Sequence, residues 1–594
     1  MNIDDQDESC NNICLRMNAR ELQPQHEDVS AGKRSGKEMP WVLRCVDTTR
    51  YIFPSSNPEN SCYLVQDMNL GELGMTRLVL NARLTSPAFC LALAASSALA
   101  QPAPTTSSTR AQPATVKVDF NTSRGDFQHP ERYNNFSRWS AWQPQRDADV
   151  RFLNEQGLHG KVYKVWVDAE RIHDLKTNAY NYKGLDDYLA DASLLSDELL
   201  MVMDTRVSVR DMKRTPADIK PIIKRIMTDL KRRYPQIRYI EAFNEPDHNL
   251  AKNVTPAGLY DYYKVYYEAV NEINRELQPQ VPLEIGGPGY MQYNEKWMYA
   301  FLDRYAADSS PDKRLDFLSW HAYGEFPEGT GDSGGPRAFH FYKGNPSEVA
   351  GQRKLLNAAL SSRGLDTKIP AFITETGIYP GPSFDNQNDP RPDYLIGAAG
   401  VPALHYWYME QPDTYPFNWV IRHSSEERKD QLVTRSRNGE RIAVRGNDNA
   451  EGLPTNTFTP YGNAMAMMAK LKKERVTAQS SALKDGIGVY SIATKDNYGA
   501  AVMVWNYQHV GQQRYNTTIE MGALPANLRG KSLCQRMYRI DDKVSNYWAN
   551  PDTANLQQIA TITVKPTQRH SVSVDLTPNA LQLVTLEPAT SCAS

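Results

Sequence analysis

The sequence predicts an α/β protein: a (β/α)8 barrel followed by a β-sandwich. Three observations carry that prediction. From about residue 115, short apolar runs alternate with stretches at helical period, and eight such units follow one another. After about residue 475 the helical period stops and closely spaced short runs take over, with turn residues between them. No Gly-rich phosphate loop follows the first run, which disfavours an open nucleotide-binding sheet.

The eight runs expected as barrel strands are Val116–Phe120, Val162–Val167, Leu199–Asp204, Tyr239–Phe243, Leu283–Pro288, Phe317–Tyr323, Ala371–Thr376 and Leu404–Tyr408. Helices are expected between them at Pro216–Arg233, Pro256–Leu277, Asn294–Ala307 and Ser347–Ser362. The second of these has Thr255 placed as N-cap and Pro256 at the first helical position. It then presents Leu259, Tyr262, Tyr263, Tyr266, Val270 and Ile273 as one apolar stripe. A last helix, Tyr461–Lys472, precedes the sandwich runs Gly486–Ala493, Gly499–Tyr507, Tyr515–Met521, Ser532–Ile540, Ile559–Val564 and Ala580–Leu586. Residues 101–125 could also return a strand to that sandwich.

Composition narrows the class of function. The chain has 594 residues, 40% of them hydrophobic and 23% charged, enough apolar material for a large core. Its 67 basic and 69 acidic side chains nearly cancel, so bulk charge drives it neither to nucleic acid nor to an anionic membrane. Aromatics reach 10%, which suits sugar recognition and a large core equally.

The beginning of the chain reads differently. Met75-Thr-Arg77 and Arg83 precede the apolar run Phe89–Ala100, which ends Ala98-Leu99-Ala100. A basic start, a short apolar centre and a small-x-small end describe a secretory signal, and the run is too short to span a bilayer. Residues 1–74 are therefore expected to be an extension ahead of the working start, 75–100 the signal, 101–114 a linker, 115–475 the barrel and 476–594 the sandwich. The alternative is a genuine cytosolic extension that abolishes export. Removal of 1–100 leaves two cysteines, Cys534 and Cys592, expected to pair in an oxidising compartment. No metal-ligand spacing is present, and the oligomeric state is left open.

Chemistry in such barrels sits at the C-terminal ends of the strands. The fourth run delivers Asn244-Glu245-Pro246-Asp247, and the seventh delivers Thr374-Glu375-Thr376-Gly377. These motifs, with Trp320-His321-Ala322-Tyr323 on the sixth run, resemble clan A of the retaining glycoside hydrolases, and family 39 most of all. The resemblance covers roughly residues 115–590. It implies a glycosidase without cofactor or metal, hydrolysing O-glycosidic bonds through a covalent glycosyl-enzyme. Glu245 would be the acid/base and Glu375 the nucleophile, with carboxyls about 5–5.5 Å apart, against about 6.5–9.5 Å for inversion. Asn244 would bind the sugar 2-hydroxyl, His321 and Tyr323 would line the site or pack inside the barrel, and Trp407 would give either a stacking floor or core. Asp247 and His248 could shape the leaving-group subsite or brace their loop. On the second strand, Lys164, Trp166 and Asp168 have no firm counterpart. Within the family, β-xylosidase, α-L-iduronidase and exopolysaccharide-directed specificities are all open. Two other functions compete: a transglycosylase of polysaccharide assembly with the same residues, and a catalytically silent carbohydrate-binding barrel.

Overall fold

The computed structural model describes residues 51–53, 62–69, 75–82, 110–136, 146–323, 345–378, 395–421, 431–433 and 457–593, apart from 510 and 548. The chain divides into two units, 1–107 and 108–594. In the first, Tyr51–Phe53, Cys62–Asn69 and Met75–Ala82 form a three-stranded antiparallel sheet. Its strands thus fall both in the extension before Met75 and at the start of the expected signal. The first longer segment carries Tyr63 and Val65 and the second Thr76 and Val79, residues that favour a pleated surface, and Gly71 and Gly74 lie between them. The apolar run Phe89–Ala100 lies outside the described residues.

The second unit contains a closed eight-stranded barrel whose strands are Tyr133–Asn135, Gly160–Asp168, Ser196–Asp204, Ile237–Glu241, Glu284–Tyr290, Phe317–Ala322, Ala371–Thr376 and Thr414–Asn418. All neighbours pair in parallel, and the last strand returns to the first through Asn418↔Asn134. Six of the eight expected strands fall in register or within a few residues. The first and last are corrected.

Val116–Phe120 is not barrel but part of Gln112–Asp126, a sandwich strand. The reason is visible in its period. Ala114, Val116, Val118 and Phe120 are buried while the residues between them are not, which suits a sheet with one wet face. The true first strand, Tyr133-Asn-Asn, carries no apolar run; its asparagines are buried through side-chain hydrogen bonds. Leu404–Tyr408 belongs to the helix Leu395–Tyr408, which is apolar almost all round because it is buried between barrel and sandwich. The eighth strand, Thr-Tyr-Pro-Phe-Asn, is disguised by Pro416. Asn418 at its tip closes the barrel: its Nδ2 donates to the carbonyls of Pro130 and Tyr133 at 2.9 and 3.0 Å, while His405 Nε2 lies 2.7 Å from its Oδ1.

The helices follow their sequence signals. Pro216–Arg233 starts on Thr215, whose hydroxyl accepts from Asp218 N while Asp218 accepts from Thr215 N. Glu295–Ala307 is capped by Asn294. Leu259–Leu277 begins later than expected, because Thr255 caps only a preceding turn through Gly258 N.

Apart from the two-stranded pair His173–Asp174 and Ala179–Tyr180, the remaining described strands make one ten-stranded sheet curled into a β-sandwich around Val116, Val118, Val502, Val504, Ile519 and Leu586. Gln112–Asp126 is an inner strand of it, antiparallel to Glu474–Ser480 and parallel to Tyr515–Gly522. Cys534, in strand Leu533–Ile540, is disulfide-bonded to Cys592 in the terminal turn, with Cα atoms 5.2 Å apart. Among the described residues no helix is long and apolar enough to cross a membrane.

Candidate active site

Inward-facing residues alternate along each barrel strand, so they stack in layers. An aromatic floor comes first. Phe317 and Phe372 stack at 4.7 Å, with Tyr239, Tyr415 and Phe417 around them. Two residues further along the strands the filling turns polar: Lys164, Glu241, Ser319 and Thr374, all fully buried. One more step brings the mouth, with Trp166, Asn244, Glu245, His321, Tyr323, Glu375 and Trp419.

Glu245 follows strand four in a left-handed conformation (φ 49°, ψ 52°), held by its amide donating to Gly289 O at 2.7 Å. Glu375 ends strand seven and is almost fully buried. One carboxylate oxygen from each, together with a ring nitrogen of His321, lie within 4.8 Å of one another. His321 bridges the two, with Nδ1 3.0 Å from Glu245 Oε1 and 3.5 Å from Glu375 Oε2. Its Nε2 faces the Lys164 ammonium at 3.5 Å, a group that only donates, so the network assigns the ring proton to Nδ1. Tyr323 donates its hydroxyl to Glu375 Oε2 at 2.6 Å. Lys164 lies 3.3 Å from Glu375 Oε1 and 3.1 Å from Glu241 Oε2, the latter an ion pair rather than an aligned hydrogen bond. Three nitrogen and oxygen atoms so close could embrace a cation, yet an ammonium already stands beside Glu375.

The structure thus brings together Glu245, Glu375, His321 and Tyr323, and sets Asn244, 3% exposed, next to the first of them. Asn244 Oδ1 has no protein hydrogen-bond partner. Trp407 is corrected. It lies on the helix Leu395–Tyr408, away from the mouth, and donates Nε1 to Tyr490 OH at 3.0 Å across the seam with the sandwich. The aromatic side chain at the end of strand eight is Trp419, packed edge-on to Trp166 and Tyr323 at 6.3 and 6.5 Å. Asp247 braces its loop, accepting from Met291 N at 2.9 Å and Asn294 Nδ2 at 3.0 Å; burial pushes its pKa up to about 6, against those hydrogen bonds and with the Glu245 charge adding. His248 is exposed.

Sequence reasoning passed over Glu241, Ser319 and Thr374 and left Lys164 unassigned. The usable signal was a lone charge inside an apolar strand: Lys164 within Val162–Val167 and Glu241 four residues before Glu245. Trp419 was hidden with its strand.

The comparisons with known proteins agree with this architecture. No curated protein matches the chain in sequence. Among solved structures, the glucosidase of Croceicoccus marinus is 13% identical over 80% of this chain and 99% of its own, with TM-score 0.54. The GH39 enzyme of Xanthomonas axonopodis pv. citri is 15% identical over 82% and 100%, with TM-score 0.56. A monomeric β-xylosidase of Caulobacter crescentus CB15 is 13% identical over 80% and 99%, with TM-score 0.55. At such identities the likeness is one of fold. The model of glycosyl hydrolases family 39 matches residues 211–558, more than half of the chain, and that span carries strands four to eight with both strand-tip glutamates. The chain belongs to glycosyl hydrolases family 39 and is a glycosidase acting on O-glycosyl compounds.

Proposed function

We propose that the protein is an exported retaining glycosidase working by double displacement. The observation that carries the reading is the approach of the Glu245 and Glu375 carboxylates to within 4.8 Å, oxygen to oxygen. That closeness suits the short carboxyl spacing of a retaining pair rather than the wider spacing of an inverting one. In the first step Glu375 attacks the anomeric carbon, the glycosidic C–O bond breaks, and Glu245 gives its proton to the departing oxygen. In the second, Glu245 takes a proton from water as that water displaces Glu375. Lys164 and Tyr323 favour an ionised Glu375 by charge and by hydrogen bond. His321 fixes the angle between the two carboxylates, and Asn244 Oδ1 is free to accept from a sugar hydroxyl. Trp419 and Trp166 offer the apolar wall that a pyranose face requires.

Export rests on the signal-like segment 75–100 and on the Cys534–Cys592 bond, which persists in oxidising compartments. Transglycosylation would use the same residues with a sugar acceptor in place of water. A silent binding barrel has no need of both carboxylates. Two variants test the reading. Glu245→Ala should slow poor leaving groups far more than activated aryl glycosides. Glu375→Ala should lose turnover and recover with azide as the product of inverted configuration. Equal loss on both substrate types, or an active Glu375→Ala, would overturn it.

A further inference from the structure

We infer that Glu241 is a positioning residue of the reaction, the permanent counter-ion that keeps Lys164 charged when the Glu375 carboxylate is consumed; this rests on Glu375 being the nucleophile. Glu241 has no exposure and sits one layer below the mouth. Its Oε1 accepts from Ser319 Oγ at 2.6 Å and Thr374 Oγ1 at 2.7 Å, and its Oε2 pairs with Lys164 Nζ at 3.1 Å. Ser319 is in turn held by Gly289 N at 2.9 Å. Gly289 has φ +64°, and a Cβ there would come within 3.0 Å of Glu241 Oε1, so the backbone itself is shaped around this carboxylate. Two hydroxyl donors and an ammonium around a buried carboxylate are the partners that an anion requires.

The arrangement has a consequence for the reaction cycle. In the free enzyme Lys164, buried to 0% exposure, stands between two carboxylates. When Glu375 forms its bond to the anomeric carbon, its negative charge is spent. A buried ammonium left alone at that moment would raise the barrier, because an unpaired buried charge is costly. Glu241 removes that cost: Lys164 remains half of a neutral pair throughout. Conversely, without Glu241 the whole charge of Lys164 would fall on Glu375. The nucleophile would then be over-stabilised as an anion and attack more slowly.

The test is a double-mutant cycle on kcat/KM with its pH profile. Among the described residues, the charged or titratable groups facing Glu375 are Lys164, Glu241, Glu245, His321 and Tyr323, with Asp247 behind Glu245. Glu241→Gln keeps the side-chain shape and removes the charge. It should lower kcat/KM by about tenfold, within the range of coupled neighbours, while moving the acidic limb of the profile to lower pH. Lys164→Met should lower kcat/KM and move the limb the other way. In the Lys164→Met background, Glu241→Gln should cost less than about threefold, since both residues serve one function. Glu241→Asp, which keeps the charge, should recover part of the activity. A limb that stays or rises in Glu241→Gln, or an equal loss in both backgrounds, would reduce Glu241 to a structural residue and overturn the inference. If Glu241→Gln does not fold, Glu241→Asp in both backgrounds makes the same comparison with smaller displacements in the same directions. Azide rescue of Glu375→Ala is independent of these outcomes, so it separates a failure here from a failure of the nucleophile assignment.

Discussion

Replacing Tyr323 with Phe removes the phenolic hydroxyl and keeps the ring. The ring keeps its edge-on contacts with Trp419 at 6.5 Å and His321 at 6.4 Å, so packing is preserved. What goes is the 2.6 Å hydrogen bond from the phenol to Glu375 Oε2, both groups being buried. Hydrogen bonds to charged groups contribute about 1.5–3 kcal/mol. At about 1.4 kcal/mol per factor of ten, kcat/KM on the acidic side of the profile should fall by about ten- to a hundredfold, and the acidic limb should move up. The sign follows from the donor: the phenol stabilises the ionised carboxylate, so without it a higher pH is needed to reach the reactive form. An activated aryl glycoside is the substrate of choice, because its departure depends least on the Glu245 proton. Near neutral pH the loss should be partial, and it should deepen as pH falls. A uniform loss at every pH with the limb unmoved would refute the reasoning, since Tyr323 would then be acting on something other than the ionisation of Glu375.

Other outcomes follow from the same geometry. Trp407→Phe should leave kcat/KM unchanged and lower thermal stability by about 1 kcal/mol through the lost bond to Tyr490; a large loss of activity in a folded variant would return Trp407 to the sugar site. Cys592→Ser opens a bridge spanning 58 residues, for which chain entropy gives about 4 kcal/mol, and chemical denaturation of oxidised wild type and variant measures it. His405 is fully buried, and burial pushes its pKa down to about 4 from 6.5, against its bond to Asn418. The unfolded chain therefore binds a proton that the folded one refuses. This stability is complete above pH 6.5 and is lost as pH falls toward 4, by roughly 2–3 kcal/mol. Denaturation of His405→Gln at pH 7 and 4.5 should show a correspondingly weaker pH dependence; an equal dependence in both proteins would exclude His405 as its source.

The barrel's middle was legible because strands two to seven each carry a short, mostly apolar run flanked by turn or helical residues. Its closure was not. Strand one is built from asparagines that pair through side chains, and strand eight contains a proline, so neither carries the expected apolar signature. The helix Leu395–Tyr408 took the place of strand eight for a related reason. An element buried on all sides loses the periodicity that separates helix from strand. The sandwich strands Glu474–Ser480 and His570–Leu576 were also missed, being half-exposed and polar. The strand-tip carboxylates could be read from short motifs. The layer beneath them could not, because a lysine and a glutamate 77 positions apart in the sequence announce nothing until the barrel stacks their strands. Only the paired geometry gives Lys164 and Glu241 a shared meaning.

The central claim is that Glu245 and Glu375 stand at the close spacing of a retaining pair, so that the anomeric carbon undergoes two successive displacements. Proton NMR of the first-formed sugar, recorded before mutarotation, reads this directly. The account predicts that the product keeps the anomeric configuration of its substrate. A first-formed product of inverted configuration would contradict it.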